Sequence, residues 1–481
     1  MSIDRRRFLL AASALGVSSA LPGTLLAAPA RNEKRVDLTA SAFAAALDPT
    51  TPTPTGVWSF NEQFPGPALR FRREDKVHFA FQNDLPQDSA VHWHGIRVPN
   101  AMDGVPHVTQ DPVAPGDAFD YRFEFKDSGT FWYHPHQSSF EQVPRGLYGA
   151  LIVEEDKPPV VDRDEVWVLS DIKLDDQRQQ VEDFGRILDI ANEGRLGNQV
   201  LVNGQFAGSG RKVAVRAGER LRLRLVNAAS ARFFRLAFEG HQARVIAYDG
   251  QGTTPHTLPA DGLPLGPGMR VDLIIDCMGK PGQNFAIRDL GRPPLAPAYD
   301  LGTLAYGDER PVRNKPLSSP IALAPNRIAE PNLGKASQHV IMFQGGMRGQ
   351  PVIGMVDGKP SRIQDIMAKQ GLAWTMNYHA QHEHALMHEP FLHLKKGESV
   401  ILRMINDTAF DHPMHLHGHF FRVLAVNGKA NPRREWRDTA IMGPRQTVDV
   451  AFVADNPGEW MYHCHILDHA AGGMMGTIAV E

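Results

Sequence analysis

His463-Cys464-His465-Ile466-Leu467-Asp468-His469-Ala470-Ala471-Gly472-Gly473-Met474 lies just before the C-terminus. One Cys sits between two His, a third His follows five residues after the Cys, and a Met follows five after that. On a β-strand neighbours point to opposite faces. His463 and His465 therefore face one way and Cys464 the other. If both faces hold metal, one short strand joins two metal sites through a few covalent bonds. A thiolate, an imidazole and a thioether suit a blue-copper electron-transfer centre, which takes two His, one Cys and a weak axial ligand. The second His must come from elsewhere, and His412, in His412-Pro413-Met414-His415-Leu416-His417-Gly418-His419, is the obvious donor. Structural zinc sites usually carry paired Cys, whereas this chain has only Cys277 and Cys464, far apart.

A repeat extends this reading to the whole chain. Glu74–Asn83, Gly218–Asn227 and Gly397–Asn406 each read as a charged turn, an alternating strand and a closing Asn. Such alternation marks half-buried strands. Nine and eleven residues after the Asn, the first copy has His92 and His94 and the third has His415 and His417; the second has Leu236 and Phe238. Later, Gly129-Thr130-Phe131-Trp132-Tyr133-His134-Pro135-His136 matches Gly458-Glu459-Trp460-Met461-Tyr462-His463-Cys464-His465. The middle copy places Ile287 and Asp289 at the His positions. Three homologous β-domains are expected at 31–157, 158–310 and 335–481, with Pro-rich 311–334 as a linker.

Composition agrees. A length of 481 residues suggests two to four domains. Gly (43) and Pro (36) are plentiful between short apolar runs, which favours an all-β fold of many short strands. The net charge of -3 implies no strong attraction to nucleic acid or an anionic membrane. The core can be large enough to need no disulfide, and Cys277 reads as a small buried residue in the strand Val271–Cys277. Residues 1–30, with Arg5-Arg6-Arg7-Phe8-Leu9-Leu10 opening an apolar stretch, read as an export signal leading to the periplasm, with an uncleaved membrane anchor as the alternative. The paired Arg resembles a twin-arginine signal, although Asp4 and Leu10 depart from its usual Ser/Thr and Lys. No other stretch is long and apolar enough to span a bilayer.

The repeat locates the chemistry. The first and third domains each carry two His-x-His pairs and the second carries none. Eight His from two domains imply one metal cluster at their interface, with the second domain acting mainly as a spacer. The first-domain counterparts of His412, Cys464 and His469 are Ser89, Pro135 and Phe140, none a good copper ligand.

These motifs, His-Trp-His-Gly at 92–95, His-Pro-His at 134–136, His-Pro-Met-His-Leu-His at 412–417 and His-Cys-His at 463–465, resemble the signature of the multicopper oxidases, and of their three-domain laccase type in particular. The resemblance implies three consecutive cupredoxin-like Greek-key β-sandwich or barrel domains and four copper ions. His412, Cys464 and His469 would bind type 1 copper, with Met474 as axial ligand. His92 and His415 would bind type 2 copper, and His94, His134, His136, His417, His463 and His465 the type 3 pair. Single electrons from a reductant would pass from Cys464 through the backbone to His463 and His465, and four would reduce O2 to two waters. Asp103, nine residues after His94, matches the family's proton-supplying Asp, although an Asp-Gly turn explains it as well. Ala470 stands where bacterial cuprous oxidases carry a Glu, which leaves Asp468 as a loose candidate for a second relay.

The type 1 motif does not name the electron donor. Met376, His379, His382, His384, Met387 and His388 could capture Cu(I), or form only a polar loop before a strand at Phe391–Leu394. The expectation is a monomeric laccase-like oxidase of phenols and aromatic amines. The alternative is a Cu(I) or Mn(II) oxidase, and a non-catalytic scaffold is disfavoured by the intact ligand set.

Overall fold

The computed structural model describes residues 33–48, 53–208, 210–292, 296–349, 351–356, 358–382 and 389–481. The export-signal stretch and His384, Met387 and His388 lie outside the described residues.

The strands between Lys34 and Glu154 form two four-stranded sheets. Lys34–Ala45 pairs parallel with Lys76–Asn83 and antiparallel with Thr55–Phe60. The facing sheet places Gly129–His134 between Gly149–Glu154 and His92–His94. Alternation along Lys76–Asn83 turns Val77, Phe79 and Phe81 inward, where Phe79 stacks on Trp93 at 4.2 Å between centroids. Burying a Phe of this kind contributes roughly 1.5–3 kcal/mol. His92 and His94 flank the core residue Trp93, so the apolar anchor fixes where both imidazoles emerge.

The strands from Ser337 to Val480 repeat the arrangement. Ser337–Gly345 pairs parallel with Ser399–Asn406. His412–Leu416 pairs antiparallel with Gly458–Cys464, setting Met414 opposite Cys464 and His415 opposite His463. In the first unit His92 lies opposite His134. One hydrophobic core runs through both units. The strand expected at Phe391–Leu394 begins at Leu392 and pairs parallel with Met475–Val480.

Arg163–Tyr306 holds a seven-stranded and a five-stranded sheet around a separate core. Leu236, Phe238 and Ile287, which stand at His positions of the other copies, pack in that core. The half-buried alternation expected for Arg220–Asn227 does not hold, because every residue of this strand is buried. Its Arg face lies under the first unit instead of facing water. Arg222 pairs with Glu155 at 2.6 Å and Asp272 at 2.6 Å, and Arg224 pairs with Asp164 at 2.7 Å. A guanidinium is tolerated at such depth only when carboxylates neutralise it. The middle unit is therefore bonded into its neighbours and is more than a spacer. Cys277 is fully buried one residue beyond the strand Arg270–Asp276. Among the described residues no helix is long and apolar enough to cross a membrane.

Candidate metal centres

Alternation on Gly458–Cys464 sends Cys464 and its flanking His in opposite directions. Cys464 Sγ lies 3.6 Å from His412 Nδ1 and 3.7 Å from His469 Nδ1, and the two nitrogens are 3.0 Å apart. All three residues are fully buried. The short helix Leu467–Ala471 delivers His469. Its Nε2 donates to the Asn192 carbonyl at 2.6 Å, which leaves the Nδ1 lone pair free to point at the sulfur. His412 Nε2 meets Thr408 Oγ1 at 2.8 Å, which frees its Nδ1 in the same way. Met474 packs in the core cluster that contains Cys464, whereas Met475 packs with Val105, Met461 and Ala470. The Trp374 ring flanks the trio, 4.4 Å from His469 and 5.1 Å from His412. Burial pushes the Cys464 thiol up, holds His412 well below the ordinary imidazole value and lowers His469 to about 3.

On the other face of the strand, His92, His94, His134, His136, His415, His417, His463 and His465 converge, all buried. His92 stacks on His417 at 3.9 Å and His94 on His415 at 3.8 Å, each pair joining the first and third units. His94, His134 and His465 have centroids 4.9–5.8 Å apart; for His136, His417 and His463 the separations are 5.0–5.2 Å. The Nδ1 atoms of His92, His134, His415 and His463 donate to the carbonyls of Asp103, Pro135, Asp438 and Cys464. That fixes the tautomer and leaves each Nε2 as a bare acceptor. His417 Nδ1 donates to Asp103 Oδ2 at 2.8 Å.

The freed nitrogens have nothing to accept from. His92, His134 and His415 Nε2, His94 and His136 Nδ1, and both nitrogens of His465 are buried without a partner. The Nε2 atoms of His417 and His463 face each other at 3.1 Å. An unsatisfied buried polar atom costs about 1–3 kcal/mol, so this concentration of lone pairs calls for cations between them, and imidazole nitrogen suits copper. Burial, reinforced by neighbouring imidazoles, holds His94, His134, His136, His417 and His465 well below their ordinary value and lowers His463 to about 3. Neutral imidazole is the form that binds metal.

Asp103 joins the two His-x-His strands, since its carbonyl holds His92 and its carboxylate holds His417. Its Oδ1 is buried, makes no hydrogen bond and lies 3.4 Å from His92 Nδ1. The Asp-Gly turn is present as well: Gly104 has φ +76 and passes so close to the Val91 backbone that a Cβ would clash. Sequence reasoning missed Asp438, whose Oδ1 lies 3.4 Å from His94 Nε2. The only signal for it was the charged pair Arg437-Asp438 between Trp436 and the run Thr439–Met442. Asp468 Oδ2 accepts the Arg195 N–H at 2.8 Å, Oδ1 is unpartnered, and burial raises the carboxyl to about 6. Of the expected donor-capture residues, Met376 is buried in the main core, His379 is exposed and His382 is half-buried. Met376 is thus a packing residue turned away from solvent.

The multicopper oxidase family matches residues 44–158, 166–308 and 356–481. The crystal structure of a multi-copper oxidase from Pseudomonas thermotolerans superposes with a TM-score of 0.81 at 33% identity, covering 93% of this chain and 99% of that one. Multicopper oxidase MmcO of Mycobacterium tuberculosis is 28% identical over 96% of this chain and 90% of its own length. Laccase-2 of Botryotinia fuckeliana is 28% identical over 89% of this chain and 80% of its own length.

Proposed function

The chain belongs to the multicopper oxidases, and from that premise we propose that it oxidises phenols and aromatic amines at a type 1 site made by His412, Cys464, His469 and Met474. Copper bound by this chain supplies one-electron oxidation of the reductant and four-electron reduction of O2 to water. We assign type 2 copper to His92 and His415, and the type 3 pair to two trios, His94 with His134 and His465, and His136 with His417 and His463. This makes four copper ions per monomer. The observation that carries the reading is the convergence of unpartnered imidazole nitrogens beside a buried Cys-His-His trio.

The chain's own residues prepare each site. Asn192 and Thr408 hold the type 1 imidazoles with Nδ1 free. Asp103 orients His92 and His417 and keeps a carboxylate oxygen free to pass protons towards the cluster. The shared backbone of His463, Cys464 and His465 links the two centres, and the His463 Nδ1 bond to the Cys464 carbonyl, 2.9 Å, gives a second connection. Ala470 offers no carboxylate. Domain boundaries at 31–157, 158–310 and 335–481, and export to the periplasm by residues 1–30, belong to the same reading.

Oxidation of Cu(I) is the second reading. The strand Trp374–Met376 leads from the ring flanking the type 1 trio into the His-rich stretch. A Cβ on Gly473 would sit 3.5 Å from the Gln381 nitrogen, so this stretch runs along the loop before Met474. Oxygen uptake by copper-loaded protein, with a substituted phenol or Cu(I) as donor, tests both. Equal rates with each donor before and after Ala at His379, His382, His384, Met387 and His388, with phenol preferred, support the first reading. Selective loss of Cu(I) turnover in that variant supports the second.

A further inference from the structure

Arg270 belongs to the unit that contributes no candidate copper ligand, yet it is fully buried beside the imidazole cluster. Its Nη1 donates to Asp438 Oδ1 at 2.8 Å and its Nη2 to Asp438 Oδ2 at 2.5 Å, a two-pronged pair with no exposure on either side. Its Nε donates to the Thr130 carbonyl of the first unit at 3.2 Å, and its own N–H donates to Asp249 Oδ1 at 3.0 Å. One guanidinium thus binds all three units at a single point.

Asp438 carries that contact to the cluster. Its carbonyl accepts from His415 Nδ1 at 3.0 Å and its Oδ1 lies 3.4 Å from His94 Nε2. Thr439 Oγ1 donates to the same Oδ1 at 2.8 Å and sits 3.2 Å from His415 Nδ1. The glycine of His-Trp-His-Gly makes room for the pair: a Cβ on Gly95 would lie 2.3 Å from Arg270 Nη2 and 2.6 Å from Asp438 Oδ2. The turn leading into Arg270 brings Gly268 against the His465 ring, where a Cβ would be 2.7 Å from Cδ2.

We propose that Arg270 is a positioning residue of the copper cluster: through Asp438 it fixes the tautomer and aim of His415 and His94, and so sets how firmly the copper between His92 and His415 is held. This rests on the copper assignments above. The chemistry demands an Arg, because a planar fork matches both carboxylate oxygens whereas Lys offers a point charge. Outer partners of metal-binding His typically affect metal affinity 10–100-fold.

The test uses copper-loaded full chain carrying Arg270→Lys, with Arg403→Lys at an exposed ion pair as the control. Copper per chain, the blue absorbance of the Cys464 site and the paramagnetic resonance of the second, non-blue Cu(II) are followed during dialysis against a chelator. The expected result is unchanged blue absorbance and loss of the non-blue signal at a chelator concentration about 10–100-fold lower than wild type. Should Lys support the carboxylate well enough to mask the effect, the double variant Arg270→Met with Asp438→Asn removes both charges and is expected to lose the non-blue signal while keeping the blue one. Wild-type retention in both variants overturns the proposal. Equal loss of both signals together with a lower melting temperature also overturns it, because the residue is then merely structural. Wild-type protein lacking the non-blue signal overturns the copper assignments as well.

Discussion

Copper-free protein is expected to lose stability steeply as pH falls below neutrality. Burial holds His463 and His469 at about 3, whereas an unfolded imidazole titrates near 6.5. Between those values the unfolded chain binds protons that the folded chain refuses. The stabilisation is complete above the unfolded value and declines as pH falls towards the folded one. From pH 7.5 to 5.5 each such His costs about 1.4 kcal/mol, or about 3 kcal/mol for the pair. Six more, His94, His134, His136, His412, His417 and His465, are held well below their ordinary value and act in the same direction. Asp249 and Asp468, raised to about 6, act oppositely, each regaining about 0.8 kcal/mol over the same range. Since whole domains are stable by about 5–15 kcal/mol, the net loss is large. Guanidinium unfolding midpoints at pH 7.5, 6.5 and 5.5, for copper-free and copper-loaded protein, make the comparison. The copper-free midpoint should fall sharply, and the loaded one should lie higher at every pH but fall as well, because bound copper adds stability and also keeps the proton off the folded chain. A copper-free midpoint constant from pH 7.5 to 5.5 would refute the picture of neutral, desolvated imidazoles.

Other consequences are separable. Cys464→Ser should abolish blue absorbance and oxidase activity, and retained turnover would sink the type 1 assignment. His94→Ala should keep the blue colour while stopping O2 consumption; loss of both would show that the two centres are not independent. Asp103→Ala leaves the His417 Nδ1–H without its acceptor, removing a charge-assisted bond worth about 1.5–3 kcal/mol. Copper retention and O2 reduction should both fall, and wild-type values for both would return Asp103 to a plain turn residue. Cys277 and Cys464 are both buried, with their thiols pushed up. Copper-free native protein should therefore resist thiol labelling at neutral pH until it is unfolded, and rapid labelling would contradict that burial.

The convergence of these His and Cys side chains was legible because the residue types and spacings that suit a metal are set within short motifs. His-x-His on a strand puts two imidazoles on one face, and the His-Cys-His alternation follows from strand geometry. The three Asn-ended strands revealed the repeat because Asn83, Asn227 and Asn406 each donate from the side chain to two or more backbone carbonyls in matching turns. The orienting groups were not legible. Asn192 and Pro135 act through backbone carbonyls, which any residue possesses. Asp438 and Arg270 meet across 168 residues with no local pattern to announce them. Arg220, Arg222 and Arg224 looked solvent-facing because alternation shows that one face differs from the other without showing what covers it. Met376 looked like a ligand by composition, but its strand pairs with Phe343 and turns the side chain into the core.

In the proposed reading, one chain builds a Cys-His-His copper site bonded directly to an eight-imidazole cluster. Copper per chain, measured in fully loaded wild-type protein and in Cys464→Ser, decides it. Four coppers are expected in the wild type and three, without blue absorbance, in the variant. A wild type holding a single copper, or a variant that keeps all four, would contradict it.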